Sequence, residues 1–265
     1  TASERSEGKR YGEAVRWVQE RPLASEVADL TVLPTTPGPE VPIAFSALDS
    51  SVAGPAETAF AEAGVMVVSN ARNHRMDADV PLLVPEVNPQ HLGLLETQSF
   101  PSGGGIVTNP NCSTIGLVIP LRALQKEFGV NRVHVVTLQA LSGAGLPGVA
   151  SMEILDNVVP FISGEEEKLE TETRKILGRL NGKGVEEAEI VVSAQCTRVP
   201  VVDGHLEMVS VGLDRSASPE EAIEGMASFC GVPQEMGLPT APERPVHLLA
   251  GMDHPQPRLH RDLEG

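Results

Sequence analysis

Gly105-Ile-Val-Thr-Asn-Pro-Asn-Cys-Ser-Thr-Ile-Gly116 is the stretch on which the reading of the fold turns. Ile106 to Thr108 is a short aliphatic strand, and Asn109-Pro110 is a turn signal. Ile115, Leu117, Val118, Leu121 and Leu124 then mark the apolar face of a helix over 112–128. Strand, tight turn and helix in this order is the unit from which α/β layers are built. It puts Cys112 in the first helical turn, where free backbone N–H groups and the helix dipole favour a thiolate and can hold an oxyanion. A lone cysteine is more often an inert core residue, and Cys196 (in a strand) and Cys230 (in a helix) keep that reading.

Upstream, short strands alternate with helices. Tyr11 to Arg21 reads as a helix, Leu30 to Leu33 and Ile43 to Phe45 as strands, and Gly54 to Ala63 as a helix. Gly64 to Ser69 is a buried parallel strand by its unbroken apolar run. Residues 34–42 form a Pro-rich loop, and Gly103 to Gly105 reads as a flexible joint. Downstream the order loosens. Val133 to Leu141 is a strand; Ser163-Gly-Glu-Glu166 has the pattern of a capping box, starting a helix to about Arg179; and Ser218-Pro-Glu-Glu221 repeats that signal. Strands are expected at 189–195, 198–202 and 206–213. The fold class is therefore α/β, with alternating units over the first 111 residues and a looser α+β arrangement on a mixed sheet after them.

The composition narrows the function. The 265 residues are 41% hydrophobic but only 3% aromatic, so the core is aliphatic. A formal net charge of −16 argues against a nucleic-acid partner. Any cation inside a motif gains weight in so acidic a chain. Three scattered cysteines make neither a disulfide framework nor a thiolate metal site, so no metal is expected and a reducing, cytoplasmic setting fits. No apolar run is long enough to span a membrane.

A nucleophile needs a partner. Among seven histidines, His205 stands out in Arg198-Val-Pro-Val-Val-Asp-Gly-His205, which reads as a strand, a turn at Asp203-Gly204 and the start of the next strand. Such a hairpin brings Arg198 and His205 to one end of a sheet; the bland alternative is a hairpin with an exposed histidine. His74, His91, His134, His247, His254 and His260 have no comparable setting.

Four motifs occur in one order: Asn109-Pro-Asn-Cys-Ser-Thr114, Gln139-Ala-Leu-Ser-Gly-Ala-Gly145, Ser163-Gly-Glu-Glu-Glu-Lys168 and Arg198-Val-Pro-Val-Val-Asp-Gly-His205. Together they resemble the aspartate-semialdehyde dehydrogenases of the archaeal and fungal branch. The likeness extends to Ala2-Ser-Glu-Arg-Ser6, Phe45-Ser-Ala-Leu-Asp-Ser50 and Ser69-Asn-Ala-Arg-Asn-His-Arg-Met76. The resemblance implies that Cys112 attacks L-aspartyl-4-phosphate, that the thioester is reduced at the expense of NADPH, and that the semialdehyde feeds Lys, Met, Thr and Ile biosynthesis. By the same likeness His205 is the general acid/base and Gln139 positions the acyl group. Arg198 takes the substrate α-carboxylate, Glu165 the α-ammonium, and Lys168, Arg75 and Asn111 the phosphate. Without the likeness, Glu165 and Lys168 would read as an ordinary solvated helix pair. Ser3, Arg5 and Ser6 resemble the loop that grips the 2′-phosphate, pointing to NADP(H), while Asn70, Asn109 and Gly143 line the nicotinamide side.

The likeness further implies a Rossmann-like NADP-binding domain over 1–111 and a catalytic and dimerisation domain over 112–265, with a Gly-rich pyrophosphate loop ahead of Thr1 and a closing segment beyond Gly265, so the chain reads as part of a longer polypeptide. A homodimer or homotetramer, small-molecule substrates and no membrane partner are expected. Two other readings stay open: a malonyl-CoA reductase or related acyl-CoA reductase, and a non-catalytic scaffold built on a relic dehydrogenase fold.

Overall fold

The structure, a computed structural model, describes residues 5–38, 41–182 and 184–249. Ser3, His254, His260 and residues 39–40 of the Pro-rich loop lie outside them. The chain divides into two compact units, one from residues 1–80 with 95–109 and the other from 81–94 with 110–265.

The first unit is built on a parallel sheet of β1 (Ile43–Ser46), β2 (Met66–Ser69) and β3 (Gly105–Thr108) in that spatial order. Helix α1 (Ser50–Glu62) crosses between β1 and β2, its start capped by Asp49 accepting the Ser51 N–H at 2.9 Å. Ala61, Val67, Val80 and Ile106 form the core, with Phe60 and Phe100 packed on it. The helix begins earlier than expected because Asp49, not Gly54, terminates the turn before it. The glycines at 103–105 are not a joint. A Cβ on Gly104 would stand 1.9 Å from the Ala61 carbonyl oxygen, so only glycine lets the chain pass the end of α1.

The helix expected over 11–21 stops at Ala14, where Val15 is already extended. Trp17 and Val18 stay exposed, so the segment has no apolar face to bury and little reason to remain helical. Residues 30–33 contribute only one bridge, between Thr31 and Arg10, rather than a strand.

The second unit carries α2 (Cys112–Phe128), β4 (Val130–Gln139), α3 (Glu165–Ile176), β5 (Val191–Arg198), β6 (Leu206–Leu213) and α4 (Pro219–Ala227). Leu117, Val118, Leu121, Leu124 and Phe128 recur at helical spacing on α2 and pack with Val133 and Val135 of β4, Ala194 and Cys196 of β5, and Leu169 and Ile176 of α3. Each fully buried leucine here contributes about 1.5–3 kcal/mol.

The sheet is mixed, in the order β5-β4-β6: β4 runs parallel to β5 and antiparallel to β6. This corrects the hairpin expected across Asp203-Gly204, because β5 and β6 do not pair with each other. The strand expected over 198–202 does not form, since β5 ends at Arg198 and Pro200 has no N–H to extend a ladder. The capping box at Ser218 forms, with Glu221 closing it. The one expected at Ser163 does not. Gly164 takes the cap position with φ 74°, so α3 starts at Glu165 and runs only to Ile176.

Candidate active site

Cys112 is the first residue of α2, and Asn111 caps it. The Asn111 side-chain oxygen accepts the N–H groups of Ser113 at 3.0 Å and Thr114 at 3.3 Å, while its amide nitrogen donates to Glu165 at 2.8 Å. The Asn111 backbone N–H donates to Glu172 at 2.7 Å. Two carboxylates seven residues apart on one face of α3 therefore hold the residue that precedes the thiol. Asn111 was expected to contact phosphate; its side chain caps the helix and donates to Glu165.

The remaining groups arrive from the ends of three strands. Gln139 ends β4, Arg198 ends β5, and the two are paired in register. β6 opens at Leu206, opposite Leu138, which sets His205 at the same edge. His205 Nε2 stands 3.2 Å from Cys112 Sγ. On the other side of the ring, the Ala140 N–H donates to Nδ1 at 3.0 Å. Arg198, buried, donates from Nη1 to the Ala140 carbonyl at 2.7 Å and makes no ion pair among the described residues. Gly143 backs both groups: a Cβ there would lie 2.9 Å from His205 Cε1 and 3.0 Å from Arg198 Nη1. Gly143 is expected from the sequence to line the nicotinamide side; within this unit its missing side chain leaves room for His205 and Arg198.

The carboxylate of Glu165 binds Lys168 at 2.5 Å and Asn111 at 2.8 Å, with the Gln139 amide at 3.5 Å. Burial pushes its pKa up, but the Lys168 contact and these amides outweigh that, and the carboxyl lies below its ordinary value. Cys112 moves opposite to the expectation from helix position. Although part of the residue faces open space, crowding around the sulfur and the nearby Glu165 charge raise the thiol's pKa, exceeding the lowering by the Ser113 N–H. Burial and the Arg198 charge lower His205, with Glu165 opposing. Both shifts favour the uncharged form of the group.

A groove of about 490 Å³ opens at this pair, lined by Cys112, Gly116, Leu117, His205, Glu207 and Met226 among others. Glu207 was missed by the sequence reading. It follows His205 by two residues on the strand, and burial pushes its carboxyl up to about 7. Glu172 was missed too, although the seven-residue spacing from Glu165 was available as a signal.

In the first unit, Asn70 and Asn109 each follow a strand, β2 and β3, at the carboxyl edge of the parallel sheet, and both are exposed. That edge is where open α/β sheets bind ligands. Arg75 is buried and donates to the Asn70 carbonyl at 3.0 Å. Arg5 is exposed and without an ion pair among the described residues, and Ser6 lies in the same turn.

Comparison with known proteins decides the family. Residues 1–95 match the semialdehyde dehydrogenase NAD binding domain, and residues 121–264 the semialdehyde dehydrogenase dimerisation domain. The aspartate-semialdehyde dehydrogenase of Archaeoglobus fulgidus is 50% identical over 98% of this chain and 76% of its own length. The chain belongs to the aspartate-semialdehyde dehydrogenase family. The family member from Schizosaccharomyces pombe is 46% identical over 99% of the chain and 77% of its own length. The crystal structure of the Candida albicans aspartate-semialdehyde dehydrogenase with NADP superposes with a TM-score of 0.90 at 42% identity, covering 99% of this chain and 77% of that one. A Vibrio cholerae aspartate-semialdehyde dehydrogenase II gives 0.66 at 29% identity, over 86% and 69%. The archaeal and fungal likeness read from the motifs is thus borne out, as are the α/β class and the mixed sheet of the second unit. No helix among the described residues is long and apolar enough to cross a membrane.

Proposed function

We propose that the chain catalyses the NADP-dependent reductive dephosphorylation of L-aspartyl-4-phosphate to L-aspartate-4-semialdehyde through a thioester on Cys112, in the biosynthesis of Lys, Met, Thr and Ile. The observation that carries this reading is the convergence of Cys112, His205, Gln139, Arg198 and Glu165 at one edge of the second sheet. A thiol 3.2 Å from an imidazole is the arrangement covalent acyl transfer needs. The scaffold reading gives no reason for a buried guanidinium without an ion-pair partner among the described residues. The acyl-CoA reductase reading gives none for the Glu165 carboxylate beside Gln139, since a CoA thioester of malonate has no ammonium group to pair with that carboxylate.

NADP, when bound, supplies the hydride that reduces the thioester carbonyl. The exposed Arg5 fits the 2′-phosphate, and the ends of β2 and β3, at Asn70 and Asn109, fit the ring side. Within the second unit, Arg198 has donors left for the α-carboxylate, for which its planar fork is suited. Glu165 would exchange Lys168 for the substrate ammonium, releasing Lys168 toward the phosphate. Gln139 at the strand end would orient the acyl oxygen. We assign the nucleotide to a domain over 1–111 and the chemistry to 112–265, working as a homodimer or homotetramer in the cytoplasm.

The test is direct. Full-length protein with L-aspartate-4-semialdehyde, phosphate and NADP produces reduced nicotinamide absorbance that depends on phosphate. Absence of that signal refutes the proposal, and reduction of malonyl-CoA selects the rival. Light scattering of the same sample decides between dimer and tetramer.

A further inference from the structure

We infer that Glu166 and Glu170 are positioning residues for substrate recognition: by gripping the open edge of β5 they fix the rotation and register of α3, and so place Glu165 beside Gln139. The inference rests on the function proposed above, in which Glu165 takes the substrate ammonium.

An edge strand carries a row of backbone N–H groups with no neighbouring strand to receive them. β5 is such a strand, paired to β4 on one side only. Its amides on the free side are nevertheless taken up. The Ala194 N–H donates to Glu170 Oε1 at 3.2 Å, and the Cys196 N–H donates to Glu166 Oε1 at 3.2 Å. The Arg198 N–H donates to the Val159 carbonyl at 2.8 Å, which continues the row to the end of the strand. A pair of solvated surface glutamates would make no such bonds, and both residues are half-buried.

The two spacings match. Four residues of helix advance about 6 Å, and two residues of strand about 6.6 Å. Glu166 and Glu170 can therefore meet Cys196 and Ala194 together. One such bond would leave the helix free to swivel about it, whereas two bonds a turn apart set both rotation and register. The order is crossed, 166 with 196 and 170 with 194, so α3 runs antiparallel to β5. Its first residue, Glu165, consequently lies toward the Arg198 end of the strand.

Rotation then decides what Glu165 meets. At about 100° per residue, Glu166 and Glu170 lie roughly 100–140° around α3 from Glu165. The buried residues Leu169, Thr173 and Ile176 fall in the interval between them, and Glu172 falls on the Glu165 side. The helix thus has one flank on the strand edge, a core stripe, and a second flank on the site. On that second flank Glu165 accepts from Asn111 at 2.8 Å and stands 3.5 Å from the Gln139 amide. Apolar burial of the core stripe is non-directional. The two carboxylates on the edge supply the directional contacts that it lacks.

The test uses full-length protein with alanine or glutamine at both positions. Glutamine keeps an acceptor oxygen where each carboxylate stood, and alanine removes it. Because a small misplacement is costly, Glu166→Ala with Glu170→Ala should lower kcat/KM for L-aspartate-4-semialdehyde by about 10–100-fold, mainly through KM. The KM for NADP should stay that of the parent, and Glu166→Gln with Glu170→Gln should recover most of the loss. Hydrogen exchange followed by NMR gives a readout that needs no turnover. The Ala194 and Cys196 amides should be protected in the parent and the glutamine variant, and exchange faster in the alanine variant. Fast exchange of both amides in the unaltered protein overturns the inference, even where the alanine variant does not fold. So does a parent-like KM in the alanine variant once both amides exchange fast. A loss shared equally by NADP and the semialdehyde also overturns it, since that marks a merely structural role. Absence of phosphate-dependent activity in the unaltered protein refutes the proposed function instead, and the exchange rates still decide whether the edge is gripped.

Discussion

The carboxylate of Glu172 accepts the backbone N–H of Asn111 at 2.7 Å, in a position where both residues are buried. The bond ties α3 to the residue that launches the helix of the nucleophile. A hydrogen bond to a charged, buried acceptor is worth about 1.5–3 kcal/mol. Glu172→Ala should lower the urea midpoint by that order and reduce kcat by about 10–100-fold through misplacement of Cys112. Loss of stability with kcat unchanged would show that the bond supports the fold and not the thiol.

Cys112→Ser keeps the shape and removes the nucleophile. Turnover should fall by at least about 10³-fold, and mass spectrometry after mixing with acyl substrate should find the thioester adduct only on the unaltered protein. An adduct on Cys196 or Cys230 instead would contradict the assignment.

The raised pKa of Cys112 has a direct readout. Thiolate is the form that iodoacetamide attacks, so alkylation of Cys112 should reach its half-maximal rate at a higher pH than an ordinary thiol. Burial is the larger cause and the Glu165 charge the next, so Glu165→Gln should bring that midpoint down. A midpoint below the ordinary thiol range would mean that the helix terminus dominates after all.

Gly143→Ala would put a methyl 2.9 Å from the His205 ring. Since a displacement of about 1 Å can cost 10²-fold, activity should drop by about that factor while the circular dichroism spectrum is unchanged. Full activity would show that the ring has room to shift.

Glu207 should shape the pH dependence of stability. Burial raises its folded pKa from 4.5 to about 7, so the folded state binds the proton more tightly than the unfolded chain. Stability therefore declines as pH rises through this window, and the cost is complete above it. Glu207→Gln should be more stable than the parent at about pH 8 by up to about 3 kcal/mol, with the gain vanishing toward the lower end. Chemical denaturation at several pH values checks both sign and window.

How much of this was legible in the sequence depends on whether the information was local. The helix from Cys112 to Phe128 could be read because a turn signal just ahead of it, a first-turn position and an apolar face along its seventeen residues are all local. The Ser218 capping box could be read for the same reason. Ser163 offered the same letters and failed, because the next residue is a glycine that adopts φ 74° and takes over the cap. The meeting of Arg198 with His205 was anticipated for the wrong reason. A hairpin would have joined them directly, whereas β4 lies between their strands, and strand order is set by packing that no local pattern encodes. Ala140 gave no signal at all, since its contribution is a backbone amide and its side chain a methyl.

The central place of β4 also bears on when reactivity appears during folding and synthesis. Gln139 meets Arg198 only after a parallel pairing across nearly sixty residues, and Cys112 meets His205 ninety-three positions later in the chain. Contacts of such long range form late. A nascent chain thus exposes its thiol long before the imidazole emerges, and the burial and Glu165 charge that set the thiol's pKa arrive only with the completed second unit.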